Sequence, residues 1–100
     1  MYDPPGDPLD FLGRHLAEKM TRMYEARSGA ATADTREITL HVCPFLKDLE
    51  EPGMAGLGIC EAHEAWWDVQ ARSIRTSPRV RITERMRDGA PLCRVVASRT

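Results

Sequence analysis

The sequence is poor in cysteine and has no long apolar run. Its three cysteines lie far apart, at positions 43, 60 and 93. An odd number of widely spaced cysteines argues against a disulfide scaffold and favours reduced thiols. No apolar stretch approaches the ~18 residues that a membrane-spanning helix requires. Residues 1–7 are turn-rich and lack the apolar core of a secretion signal, so we expect a cytoplasmic protein with a flexible N-terminal segment.

A strong net charge is also lacking, since the formal net charge is −1 at pH 7. This value hides an asymmetry. Residues 1–70 hold thirteen acidic and six basic side chains, whereas residues 71–100 hold eight arginines and two acids. A slightly acidic chain with few aromatics near its basic stretch argues against nucleic-acid binding. We expect the arginines to meet an anionic small molecule, an acidic partner or the acidic half of the chain itself.

The length of 100 residues predicts a single domain. Pro8 suits the first turn of a helix, and apolar residues then recur at spacings of three and four, which predicts a helix over residues 8–27. The small and polar residues 28–35 are predicted to form a loop. A second helix with a broad apolar surface is predicted over residues 59–74.

Three stretches alternate as strands do. In "REITLHVC", Ile38, Leu40 and Val42 share one face. "RVRITERMR" alternates again, and "LCRVVAS" follows it after a turn centred on Asp88-Gly89. The order α-β-α-β-β predicts an α+β domain in which two main helices pack on a small antiparallel sheet.

The stretch "GICEAHEAWW" places Cys60 and His63 three residues apart, on one face of the second predicted helix. A thiol at a helix N-terminus is stabilised as a thiolate by unpaired backbone N–H groups. One turn later, His63 can act as its base. Glu84 interrupts an apolar row of its strand and is a candidate acid or base, with a solvated glutamate as the alternative.

The same residues allow a second interpretation. Cys43, Cys60, His63 and Cys93 form a three-cysteine, one-histidine set that is typical of zinc and can hold an iron–sulfur cluster. Only Cys60 and His63 have a local ligand spacing, so the fold must bring the other two to them. A metal-binding sensor or accessory subunit is therefore an alternative to an enzyme, and cysteines with a purely structural role are a third interpretation.

Arginines on the second predicted strand suit anion recognition, because a guanidinium binds a carboxylate with two hydrogen bonds. Arg81 and Arg85 are the candidate substrate-binding cations, and Trp67 is the candidate aromatic contact beside His63. A solvated strand face is the alternative explanation for these arginines. A further hypothesis is an interaction subunit whose basic row docks on an acidic surface of a larger complex.

Two stretches resemble a known family. "CPFLKDLEEPGMAGLGICEAHEAWW" and "RITERMRDGAPLCRVV" are similar to the L-2-amino-thiazoline-4-carboxylic acid hydrolase-like family. Its Cys-Pro-aromatic opening, its Cys-x-x-Asp helix start and its closing Gly-x-x-x-Cys hairpin correspond to residues 43–45, 60–63 and 89–93. His63 stands where that family has aspartate. The closing hairpin also resembles 4-vinyl reductase-like small-molecule-binding domains, some of which carry a cysteine zinc site, although Arg85 stands where they have another cysteine.

The resemblance implies a small hydrolase-like protein that acts on a C–N bond of a small carboxylated heterocycle. It implies that Cys60 is the nucleophile, that His63 is the base, and that Cys43 and Cys93 line the site. An arginine from residues 79–87 would hold the substrate carboxylate. Because the chain is shorter than the family members we expect, a second copy or a partner subunit is expected to complete the pocket.

Overall fold

The computed structural model describes residues 2–43 and 59–99. In this part of the chain, two α-helices and four strands form, and the predicted α+β class is confirmed. The elements are α1 (Pro8–Tyr24), β1 (Ala26–Ala31), β2 (Thr35–Leu40), α2 (Ile59–Arg72), β3 (Arg79–Glu84), a 3₁₀ turn (Met86–Asp88) and β4 (Cys93–Ser98). The strands form one antiparallel sheet in the order β1-β2-β4-β3.

Strand β1 corrects the sequence prediction, which placed a loop over residues 28–35. Residues 26–31 pair with β2, with Ala26 opposite Leu40. Its sequence "ARSGAA" shows no apolar alternation because β1 is an edge strand with five of its six residues exposed. Such a strand is held by backbone pairing to β2, which leaves no hydrophobic periodicity to detect.

Helix α1 forms for local reasons. Asp7 caps it by accepting the N–H of Leu9 at 2.9 Å, and Pro8 occupies the first turn. The predicted end at residue 27 is too late, because Glu25 adopts a left-handed conformation (φ 47°) and turns the chain into β1. The buried face of the helix is formed by Leu9, Leu12, Leu16, Met20 and Tyr24.

The core lies between the two helices and one face of the sheet. Val95 of β4 is fully buried between Ile38 of β2 and Ile82 of β3, which are its direct partners across the sheet. Helix α1 packs over β1 and β2, and α2 packs over β3. The opposite face is polar, and there Glu37 and Arg94 form an ion pair.

Helix α2 also lies along the free edge of β3. Val80 donates its N–H to Asp68 Oδ1 at 2.8 Å, and Ile82 donates its N–H to Glu64 Oε2 at 2.7 Å. These carboxylates supply the acceptors that a neighbouring strand would otherwise supply. The helix is thereby fixed in position along β3.

The N-terminal segment, predicted to be flexible over residues 1–7, is tied to the end of α2. Tyr2 donates its N–H to the Ser73 carbonyl at 2.8 Å, and Arg75 donates to the Tyr2 carbonyl at 2.6 Å. The bridge at Tyr2 and Ile74 lies where the predicted helix over 59–74 was expected to continue; α2 ends at Arg72 instead.

Neither α1 nor α2 has the length and apolar character needed to cross a bilayer.

Candidate functional site

The three cysteines lie at the same end of the molecule. Cys93 begins β4 opposite Leu40, Cys43 follows β2 by three residues, and Cys60 lies in the first turn of α2. All three are half-buried free thiols. Negative charge on Cys43 or on Cys93 would raise the pKa of Cys60 and of Tyr24, so the groups lie within electrostatic reach of one another. The fold therefore brings together residues that the sequence keeps far apart.

His63 is held between two aromatic side chains. The hydroxyl of Tyr24 and Nδ1 of His63 are hydrogen-bonded at 3.5 Å, and the tautomer of His63 decides which of them donates. The two rings meet edge to face at 86°. On α2, Trp67 stacks on His63 with ring centroids 5.4 Å apart. These contacts fix the orientation of the imidazole one turn after Cys60.

Cys60 is not the thiolate that its helix position led us to expect. Burial raises its pKa, and the nearby positive charge of Arg87 opposes that rise without cancelling it. Burial likewise raises the pKa of Cys93, although Met86 donates its N–H to the sulfur at 3.3 Å. Desolvation of the charged form is the largest cause for both thiols. Burial therefore favours the protonated form of each sulfur, and ionising one at neutral pH requires a base.

Arg85 and Arg87 lie within electrostatic reach of the cysteine thiols. Arg87 binds both carboxylate oxygens of Glu61, at 2.7 and 2.9 Å, and lowers the pKa of Glu61 to about 2. Arg85 donates from Nη2 to Glu64 at 3.3 Å, and its charge acts to lower the pKa of Cys93. The Nε–H of Arg85 is buried and has no hydrogen-bond acceptor among the described residues. Of the predicted substrate-binding arginines, Arg85 is the one that the fold brings to the thiols.

The structure does not bring Glu84 and Arg81 to this site. Between Ile82 and Glu84 the register of β3 against β4 shifts by one residue, so Glu84 pairs with Arg94 instead of following the buried row. This bulge reverses the alternation that made Glu84 appear inward-facing. Arg81 is exposed opposite Val96, on the polar face of the sheet. Neither side chain lies on the face that carries the helices.

A groove of about 740 Å³ between α1 and α2 is the feature that sequence reasoning missed. It is lined mainly by apolar and aromatic side chains from both helices, and it reaches Tyr24, His63 and Trp67 at the thiol end. Trp66 forms part of its wall and is 60% exposed, whereas Trp67 is 6% exposed. The pair of adjacent tryptophans was the only sequence signal for this groove. Which of them would be exposed depends on how far apart α1 and α2 lie.

The predicted metal ligands do not form a coordination shell. Within residues 2–43 and 59–99, no three His, Cys, Asp or Glu side chains are grouped closely enough to hold a metal ion. Cys43, Cys60, His63 and Cys93 are gathered at one end of the fold, but a shared zinc ion requires ligand distances near 2.0–2.3 Å. These side chains would have to move together to bind one.

Comparison of the chain with protein-family models, with curated proteins and with solved structures finds no match. Roles for the site residues therefore follow from their own geometry. That geometry consists of a neutral thiol, a fixed imidazole and a partly unsatisfied guanidinium at one end of an aromatic groove.

Proposed function

We propose that the chain is a small thiol-dependent hydrolase that cleaves a C–N bond of a small carboxylated heterocycle. The observation that supports it is the fixed position of His63, which Tyr24 and Trp67 hold one turn after Cys60. A nucleophile, a base and a group that orients the base are the parts that covalent catalysis requires. The resemblance to the amino-thiazoline carboxylic acid hydrolase-like family supports the substrate class.

The neutral state of Cys60 determines the order of proton transfers. His63 accepts the thiol proton as the sulfur attacks the carbon of the C–N bond, so a C–S bond forms. The C–N bond then breaks, and His63 returns the proton to the leaving nitrogen. Water attacks the same carbon, the C–S bond breaks, and the thiol of Cys60 is restored.

The substrate carboxylate is assigned to Arg85. Its buried Nε–H has an unused hydrogen-bonding capacity, and a buried unpaired donor is costly until an acceptor arrives. Cys43 and Cys93 would line the remaining wall. Because Glu84 and Arg81 lie on the other face of the sheet, neither takes part.

The test is a turnover assay with 2-amino-thiazoline-4-carboxylate, in which chromatography measures the ring-opened product. We expect Cys60→Ser to abolish turnover and His63→Gln to reduce it by about 10²-fold, a typical effect of losing a general base. His41→Gln is the matched control, because His41 bonds Thr39 at 2.9 Å outside the site. Turnover that persists in Cys60→Ser would exclude the thiol mechanism.

A metal-binding sensor or accessory subunit is the second candidate, and the mutual proximity of the three thiols favours it. Metal analysis of protein purified without oxygen separates the two. A stoichiometric metal that is lost in Cys43→Ser and in Cys93→Ser would replace the hydrolase proposal. Metal-free protein whose Cys60 alkylates more slowly after His63→Ala would support the hydrolase.

A further inference from the structure

The groove between α1 and α2 has an uneven charge. Among the residues that the structure describes, its ionisable lining residues apart from tyrosines are His15, Lys19 and His63, and none of its described lining residues is a carboxylate. None of the ion pairs within residues 2–43 and 59–99 involves Lys19. The ammonium group therefore lies at an apolar surface with no described counter-charge. An anion with an apolar body is complementary to such a surface.

The groove follows the length of α1 and α2. Tyr2 and Ile74 lie at one end and Tyr24 and His63 lie at the other, so the two helices run antiparallel along it. From Phe11 to Tyr24, the α1 wall extends for roughly 20 Å at 1.5 Å per residue. A volume of about 740 Å³ is in the range of sites that enclose one small organic molecule.

We infer that this groove binds an elongated, largely apolar monoanion of the fatty- or aryl-carboxylate class. Lys19 meets the carboxylate, and the apolar body lies between Met20 and Trp66, towards Trp67. The inference goes beyond the proposed hydrolysis, because the ligand lies along α1 and its binding requires no reaction at Cys60. The two claims can be tested separately.

A second copy of the chain is a poorer occupant than a small anion. In a symmetric dimer the same surface of both copies meets, so Lys19 of each would face the other copy's equivalent groove. Like charges would then be enclosed between apolar surfaces without a counter-charge, which is unfavourable. A carboxylate ligand supplies that counter-charge.

Dodecanoate, used below the concentration at which it forms micelles, is the probe. Trp66 and Trp67 are the only tryptophans, and both line the groove, so their fluorescence reports occupancy directly. We expect a saturable blue shift with one site per chain. Dodecyltrimethylammonium, which has the same chain length and the opposite charge, is expected to bind at least tenfold more weakly.

Variants locate the site by calorimetry. We expect Lys19→Met to weaken dodecanoate binding about fivefold, as for the loss of one charge pair near the surface. Arg22→Met is the matched control on the same helix, outside the groove lining. Trp66→Ala is expected to weaken binding tenfold or more, whereas Val69→Ala, which removes an equally exposed apolar side chain of α2 outside the groove, is expected to leave it unchanged.

Several results would overturn the inference. Absence of saturable binding, equal affinity for the cationic amphiphile, or unchanged affinity in Lys19→Met would each do so. A micromolar dimer that Trp66→Asp dissociates, in protein that does not bind dodecanoate, would assign the groove to a second copy. Titrating Cys60→Ser keeps the two proposals apart, since this variant is expected to bind dodecanoate normally even though it cannot catalyse hydrolysis.

Discussion

Two opposite charges that are paired with each other act on the pKa of Cys60. The positive charge of Arg87 acts to lower the pKa of Cys60, and the negative charge of Glu61 acts to raise it. Burial outweighs both and leaves the pKa raised. The reactivity of this thiol at a given pH is therefore set mainly by desolvation and adjusted by the charges of these two side chains.

Replacing these charges is predicted to shift the alkylation rate in opposite directions. Arg87→Gln removes the stabilising charge, so the pKa of Cys60 rises further and alkylation by iodoacetamide at pH 8 slows about two- to fivefold. Glu61→Gln removes the opposing charge and is expected to speed alkylation by a similar factor. Mass spectrometry of the Cys60 peptide measures both rates. A change in the same direction in both variants would show that altered packing, rather than charge, controls the thiol.

Helix α2 is joined to the sheet edge through two carboxylates one turn apart. Asp68 accepts the Val80 N–H and also pairs with Arg79 at 3.0 Å, and Glu64 accepts the Ile82 N–H. Burial of Asp68 acts to raise its pKa, but the hydrogen bonds from Arg79 and Val80 outweigh burial and hold the pKa below its ordinary value. These contacts satisfy the free edge of β3 and fix the position of α2, the helix that carries Cys60 and His63.

Removing these carboxylates is predicted to open the β3 edge locally. Asp68→Ala leaves the buried Val80 N–H without its acceptor and removes the partner of the partly exposed Arg79, so we expect a loss of about 1–3 kcal/mol in the free energy of unfolding. Glu64→Ala is expected to cost about 1 kcal/mol. Hydrogen exchange should speed at Val80 in the first variant and at Ile82 in the second. Glu18→Ala, an exposed carboxylate on α1, is the control and should change stability by less than about 0.5 kcal/mol.

Across the whole molecule, the charge asymmetry of the sequence is largely resolved within the chain. Seven of the eight arginines in residues 71–100 form ion pairs with described carboxylates, and Arg81 is the one that forms none among them. Most of these carboxylates belong to residues 1–70, as in Arg75–Asp3 and Arg99–Asp7. The sequence allowed three anionic partners for these arginines, namely a small molecule, another protein and the acidic half of the chain itself. The structure supplies the last of these. A basic surface for docking on a larger complex has correspondingly little free charge.

Acid is therefore predicted to destabilise the fold over a defined range. Carboxylates whose pKa is lowered in the folded state stabilise it fully above their ordinary pKa, and that stability is lost as pH falls through the folded value. For Glu61 this range extends from 4.5 down to about 2. We expect the Tm from circular dichroism to stay level above pH 5 and to fall between pH 4.5 and 2. Glu61→Gln should show a smaller fall, and an equal fall in both proteins would contradict the role of this pair.

Local sequence signals predicted the elements that depend on local interactions. The cap at Asp7 and the apolar stripe placed the start of α1 correctly. The spacing of Cys60 and His63 placed both in the first turns of α2. The edge strand β1 was missed because its stability comes from pairing with β2. Glu84 is exposed, as in the solvated alternative, because one extra residue in β3 reverses the side-chain alternation. In both places a partner strand, rather than the segment itself, decides the conformation.

By itself, the sequence determined the α+β class, the start of α1 and the inventory of thiols, histidine and arginines. The tertiary structure alone decided that Cys43, Cys60 and Cys93 lie within electrostatic reach of one another, that burial raises the pKa of Cys60, and that α1 and α2 leave a groove ending at His63. The reason is physical. Helix caps and periodicity act over a few residues, whereas desolvation, electrostatic coupling and the separation of two helices depend on residues far apart in the chain that only folding brings together.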